Sequence, residues 1–143
     1  MMADAPLYHT EAELDDVVKR FEDCSYTPEE FVHARHLTVA AIYFLRFDAE
    51  VAKERMRTGL RQFIKDHGKD GYHVTVTEFW LALVARVVAE HSSKSADLVS
   101  IANDVVARCS DKNLIHNFYS RERIASAEAK SNHLAPDLNP FAT

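Results

Sequence analysis

Glycine and proline are scarce in this 143-residue chain, with 3 and 4 copies. That is too few for an all-β fold built on many tight turns. Cysteine is scarcer still. Cys24 and Cys109 stand 85 positions apart, with no C-x-x-C and no disulfide framework. Both read as small apolar side chains on helix faces. Long apolar runs are missing as well. The longest, Leu37 to Leu45, is about half of what a membrane span needs. The N-terminus has no basic region and no apolar stretch, so it does not read as a signal peptide. A surplus of positive charge is also absent. Lys plus Arg total 17 against 22 Asp plus Glu, a formal −5. This leaves no electrostatic footprint for nucleic acid or an anionic membrane. Lys53, Arg55, Arg57 and Arg61 cluster, but Glu50, Glu54 and Asp66 interleave with them, as on a solvated helix face. The reading is a soluble, cytoplasmic protein with no nucleic-acid or membrane partner.

What is present points to helices. Hydrophobic residues make up 47% and charged residues 27%, the mix of a globular protein of one domain over residues 1–143. Residues 1–9 read as a loose leader. Thr10 and Glu13 form a capping box for a helix over about 11–23, with Leu14, Val17, Val18 and Phe21 as its stripe. Thr27-Pro28-Glu29-Glu30 reads as a second start, for a central helix over about 28–47. Asp48 caps a third, over about 49–67, closed by Gly68. A fourth spans about 73–91. The alternation in Tyr72–Thr77 also suits a short strand, but no partner strand exists, so the segment is assigned to helix. A fifth spans about 96–109 and a short sixth about 112–119. Helical turns follow at 120–124 and 126–130. The rest, about 131–143, reads as an extended tail anchored by Leu134, Leu138 and Phe141. The fold class is all-α: a bundle of four main helices with short additional helices and an extended C-terminal tail.

Eight histidines are present, and their full protonation would carry the formal charge from −5 to +3. A pH-responsive protein is one reading of that sign change. His33 and His36 stand at i, i+3 on one helix face, a spacing that suits two ligands of one ion. His73 is the best third ligand, with Tyr72, Thr77 and Glu78 beside it to orient ligands or complete the site. The expected cofactor is one divalent transition metal ion, Zn, Fe, Cu or Ni. The same three imidazoles also suit acid–base chemistry on a small molecule. Tyr43, Tyr72, Trp80 and Tyr119 are the polar-tipped aromatics expected to line a pocket. His67 and His91 read as helix C-terminal histidines.

Several known motifs are excluded. Glu30-Phe31-Val32-His33 is the only E-x-x-H, so a di-iron bundle lacks its second half. H-E-x-x-H, a His-Asp dipeptide, a glycine-rich phosphate loop and G-x-S-x-G are all absent. No motif fixes an enzyme. The rival reading is a non-enzymatic helical binding module, with the broad apolar face of Phe79 to Val88 as a candidate homodimer surface.

Three stretches occur in order: Phe31-Val32-His33-Ala34-Arg35-His36-Leu37, then Tyr72-His73-Val74-Thr75-Val76-Thr77-Glu78-Phe79-Trp80, then Phe118-Tyr119-Ser120-Arg121 with Ala125-Ser126-Ala127-Glu128-Ala129 and Pro136-Asp137-Leu138. Together they resemble an uncharacterised family of small, mainly bacterial all-helical proteins with Phe-x-His-x-x-His-Leu and Tyr-His-x-Thr-x-Thr segments. The resemblance covers the chain from about residue 28 onward and implies no activity, substrate or cofactor. The tail departs from the family pattern near His133 and at 126–128.

Overall fold

The computed structural model describes residues 7–68, 71–91 and 97–140. Among these residues every regular element is helical, and the Tyr72–Thr77 segment forms no strand. Helix α1 is Glu11–Glu22, α2 His33–Arg46, α3 Ala49–Asp66, α4 Val74–Glu90 and α5 Leu98–Cys109. A 3-10 helix, Lys112–Asn117, and two short helices, α6 Arg121–Ala125 and α7 Ala127–Ser131, complete the order.

The starts are set by short polar side chains. Thr10 Oγ1 accepts from Glu13 N while Glu13 Oε1 accepts from Thr10 N, the reciprocal pair expected for α1. Asp48 and Asp97 cap α3 and α5. Gly68 ends α3 with a φ of +66°, which glycine adopts without a Cβ clash. Cys24 takes φ +59° just after α1, so it is not on a helix face as expected.

Helix α2 is the centre of the molecule and packs on α1, α3, α4 and α5. Its run from Leu37 to Tyr43 is buried without a break, as its all-round apolar character requires. It does not, however, start at residue 28. Thr27 and Glu30 make their expected reciprocal hydrogen bonds, yet they close only one turn. Phe31 then turns inward, 4% exposed, and stacks on Phe21 and Tyr26. The helix restarts at His33 behind an uncapped Val32. Two side chains take carbonyls that the break leaves over: Arg35 Nη1 donates to Glu30 O (2.6 Å) and His36 to Phe31 O (3.1 Å).

Both ends of the chain are tied down. Tyr8 is buried, so the expected leader is fixed by its last residues; residues 1–6 lie outside the described set. Thr38 Oγ1 donates to Ala34 O, so Tyr8 Oη donates to Thr38 Oγ1 (2.8 Å). Asn103 pairs with both backbone groups of Tyr8. At the other end the tail is held by polar contacts rather than by the expected apolar anchors. Leu138 is 53% exposed, Leu134 is half-buried, and Phe141 lies outside the described residues. Instead Leu138 N donates to Phe118 O, Ser120 donates twice to the Asp137 carboxylate, and Tyr119 Oη donates to Leu134 O.

Along the apolar face of α4, Phe79, Val84, Val87 and Val88 are buried against α2, α5 and the C-terminal segments, while Trp80 and Leu83 stay partly exposed.

Candidate functional site

Three helices line a cavity of about 200 Å³. Helix α2 contributes His33, His36, Leu37 and Ala40; α3 contributes Met56, Leu60 and Ile64; α4 contributes Val76, Thr77, Trp80, Leu81 and Val84. Gly71, Tyr72 and His73, just before α4, complete the wall. His33, His36 and His73, picked out by sequence spacing, thus line one cavity. Of the expected pocket aromatics, Tyr72 and Trp80 are there. Tyr43 is elsewhere, donating to Glu22 Oε2, and Tyr119 lines a separate cleft under the tail.

The three imidazoles share one feature: each Nε2 meets a backbone carbonyl. His33 meets Cys109 O at 3.0 Å, His36 meets Phe31 O at 3.1 Å, and His73 meets Ile124 O at 2.8 Å. A carbonyl only accepts, so each Nε2 carries the proton. His73 also caps α4, its Nδ1 accepting from Val76 N at 3.1 Å. Both His73 nitrogens are therefore committed. His33 and His36 keep only Nδ1, an unprotonated acceptor with no hydrogen bond.

The expected metal centre finds no support in this geometry. A first-row metal needs deprotonated imidazole nitrogens aimed at one point. Here the three Nε2 atoms face three separate carbonyls and His73 Nδ1 is a helix cap. Among the described residues no three His, Cys, Asp or Glu side chains are grouped to hold an ion.

Glu78 is engaged with a neighbouring helix. It is not part of the cavity wall but receives a bidentate Arg57 guanidinium at 2.7 and 2.8 Å. The Arg57 partner and the attraction it exerts hold the Glu78 carboxyl below its usual range. Arg57 accordingly leaves the solvated face on which its neighbours in sequence place it. Arg61 lies over the Tyr72 ring at 4.4 Å and Arg55 over Phe47 at 4.2 Å.

The site is electrically neutral. Its described wall contains no carboxylate, lysine or arginine. Burial pushes His36 down to about 4, with its neighbours His33 and Lys112 adding repulsion against a proton. Burial lowers His33 too, opposed by the Cys109 carbonyl. Burial raises the Tyr72 hydroxyl, and Arg61 and the Thr77 side chain temper the rise. Tyr72 Oη is buried and makes no hydrogen bond of good geometry. His33 meets Trp80 edge-on at 4.5 Å between centroids.

The apolar part of the wall was not legible as a site. Met56, Leu60 and Ile64 carry the same spacing as any core stripe, and nothing in a sequence separates a residue facing a void from one facing a neighbour. No protein-family model, no curated protein and no solved structure matches this chain.

Proposed function

We propose that this protein binds a small uncharged molecule in the cavity between α2, α3 and α4. The observation that carries this reading is an apolar cavity whose wall holds the buried Tyr72 hydroxyl without a well-formed hydrogen bond, beside the acceptor nitrogens of His33 and His36. Buried polar groups are nearly always paired, and each exception asks for an explanation. An occupant that pairs them supplies one. At about 200 Å³ the space is smaller than the usual drug-sized pocket, but larger than the roughly 150 Å³ cavity that suffices for benzene.

Binding is favoured over acid–base catalysis. A general acid or base works best with a pKa near the operating pH. His36, held at about 4, is neutral there and a weak base. His73 has both nitrogens engaged in holding the backbone.

One further observation supports a plainer role. The three Nε2–carbonyl bonds join α2 to α5, α2 to its own entry turn, and α4 to α6. The rings would then serve packing alone. Ala40→Leu separates the two readings, because it fills the cavity and leaves all three bonds in place. Saturation-transfer NMR with a set of one-ring compounds, charged and uncharged, is the test. Uncharged compounds should bind to the native protein and not to Ala40→Leu. No binding, or binding unchanged in Ala40→Leu, overturns the proposal.

A further inference from the structure

We infer that the cavity selects a phenol-class ligand: a single neutral aromatic ring carrying a hydroxyl that donates to a histidine Nδ1. This rests on the reading of the cavity as a ligand site and adds the ligand's chemical class.

The argument is one of elimination by hydrogen-bond direction and charge. With no charged side chain among its described lining residues, the cavity offers no counter-ion for a carboxylate or an ammonium. Burying an unpaired ion in such a wall is far more costly than burying a neutral polar group. The occupant is therefore neutral.

The direction of its polar contact follows from the rings. His33 and His36 both donate through Nε2 to backbone carbonyls, which leaves them only acceptors, at Nδ1. A ligand that itself only accepts finds no partner in either ring. An occupant with an O–H finds two. The Tyr72 and Thr77 hydroxyls and the Trp80 indole N–H are the other polar groups of the wall and can donate to the oxygen of the same occupant, so a hydroxyl that both donates and accepts pairs more of the wall than a group that only accepts.

Shape sets the rest. The volume of about 200 Å³ holds one ring with a small substituent and little more. Trp80 and Tyr72 present aromatic surface, and Ala40 leaves room for a flat body between α2 and α4. A neutral phenol fits the volume, the charge and the hydrogen-bond direction together.

Trp80 is the only tryptophan and sits in the cavity wall, so its emission, excited at wavelengths the ligands do not absorb, reports occupancy directly. The test is a titration of the full chain with four one-ring compounds: phenol, toluene, anisole and benzoate. Toluene has the same shape without the hydroxyl. Anisole accepts but does not donate. Benzoate is charged. Phenol should bind about fivefold or more tighter than toluene and anisole, with benzoate weakest. The double variant His33→Gln, His36→Gln keeps an amide N–H for the two carbonyls and removes both ring acceptors. It should bring the phenol-to-toluene ratio to about one. The ligand series needs no variant, so it decides the matter even if the double variant does not fold.

Toluene or anisole binding as tightly as phenol, or benzoate binding tightest, overturns the phenol class while leaving the cavity a ligand site. An unchanged ratio in a folded double variant overturns the histidine assignment. A Trp80 emission that responds to none of the four overturns both this inference and the reading beneath it.

Discussion

His36 is bound to Phe31 twice over. Its Nε2–H donates to the Phe31 carbonyl at 3.1 Å, and its ring stacks on the Phe31 ring with centroids 4.0 Å apart. The same contact seals the break between the Thr27 turn and α2, and it aligns the imidazole against the cavity. Local backbone repair and the polarity of the site are thus set by one side chain.

That contact has a pH signature. The groups facing His36 are His33, Lys112 and the Phe31 carbonyl, and no carboxylate is among them. Its pKa falls from 6.5 to about 4 on folding. Below pH 6.5 the unfolded chain therefore binds a proton that the folded chain refuses, and stability must fall as pH drops from 6.5 toward 4. The ceiling on this loss is about 3 kcal/mol. Urea unfolding at a series of pH values should show a decline across that window that is shallower in His36→Gln. Equal slopes in the two proteins would contradict the assignment.

The Arg57–Glu78 pair predicts a loss that lysine cannot repair. The side chains are 25% and 14% exposed, so solvent screens them little. The two parallel N–H···O bonds match the guanidinium fork to the carboxylate. Glu78→Gln should cost about 1–3 kcal/mol in chemical unfolding, since Arg57 keeps its charge in a partly buried place. Arg57→Lys should recover little, because an ammonium cannot make the bidentate pair. Native-like stability in either variant would show the pair to be incidental.

Arg57 and His36 also mark where the sequence was readable and where it was not. Capping boxes, Gly68 and the apolar stripes are local, and they placed α1, α3, α4 and α5 to within about two residues. The Thr27 box was equally local and equally real, yet it misplaced the start of α2. The break depends on Phe31 reaching Phe21 and Phe63, contacts distant in sequence. Spacing brought His33 and His36 to one face, and the structure adds His73 to the same cavity. Their hydrogen-bond partners are ones that no spacing reveals: the carbonyls of Cys109, Phe31 and Ile124. The Glu78 partner is equally hidden, since it comes from α3, twenty-one positions away.

Thr75 is the clamp on the C-terminal segment. It is fully buried, donates to Asn132 O at 2.6 Å and accepts from Leu134 N at 3.1 Å. Thr75→Val keeps the shape and leaves both backbone groups unpaired, at a cost of about 2–4 kcal/mol. Thr75→Ser keeps the hydroxyl and should lose far less. Hydrogen exchange should quicken over residues 127–140 in the valine variant before the α2 core is affected. Unchanged exchange there would mean that the tail is held by the Asp137 and Tyr119 contacts alone.

Gly59 sets two effects of opposite sign against each other. It lies inside α3, where alanine is favoured over glycine by about 1 kcal/mol. A Cβ at this position, however, would stand 2.5 Å from two carbons of the Phe21 ring. That ring is 1% exposed and packed against Phe31, so it has little room to retreat. Overpacking of this kind costs about 1–3 kcal/mol, enough to outweigh the helix propensity. Gly59→Ala should therefore destabilise the protein in urea unfolding, although a solvated helix site would gain from the same change. Phe21→Leu removes the two clashing ring carbons at its own cost. The double variant Gly59→Ala, Phe21→Leu should then be more stable than the sum of the single effects predicts. A stabilising Gly59→Ala, or strict additivity in the cycle, would show that α3 moves away from α1 to admit the methyl group.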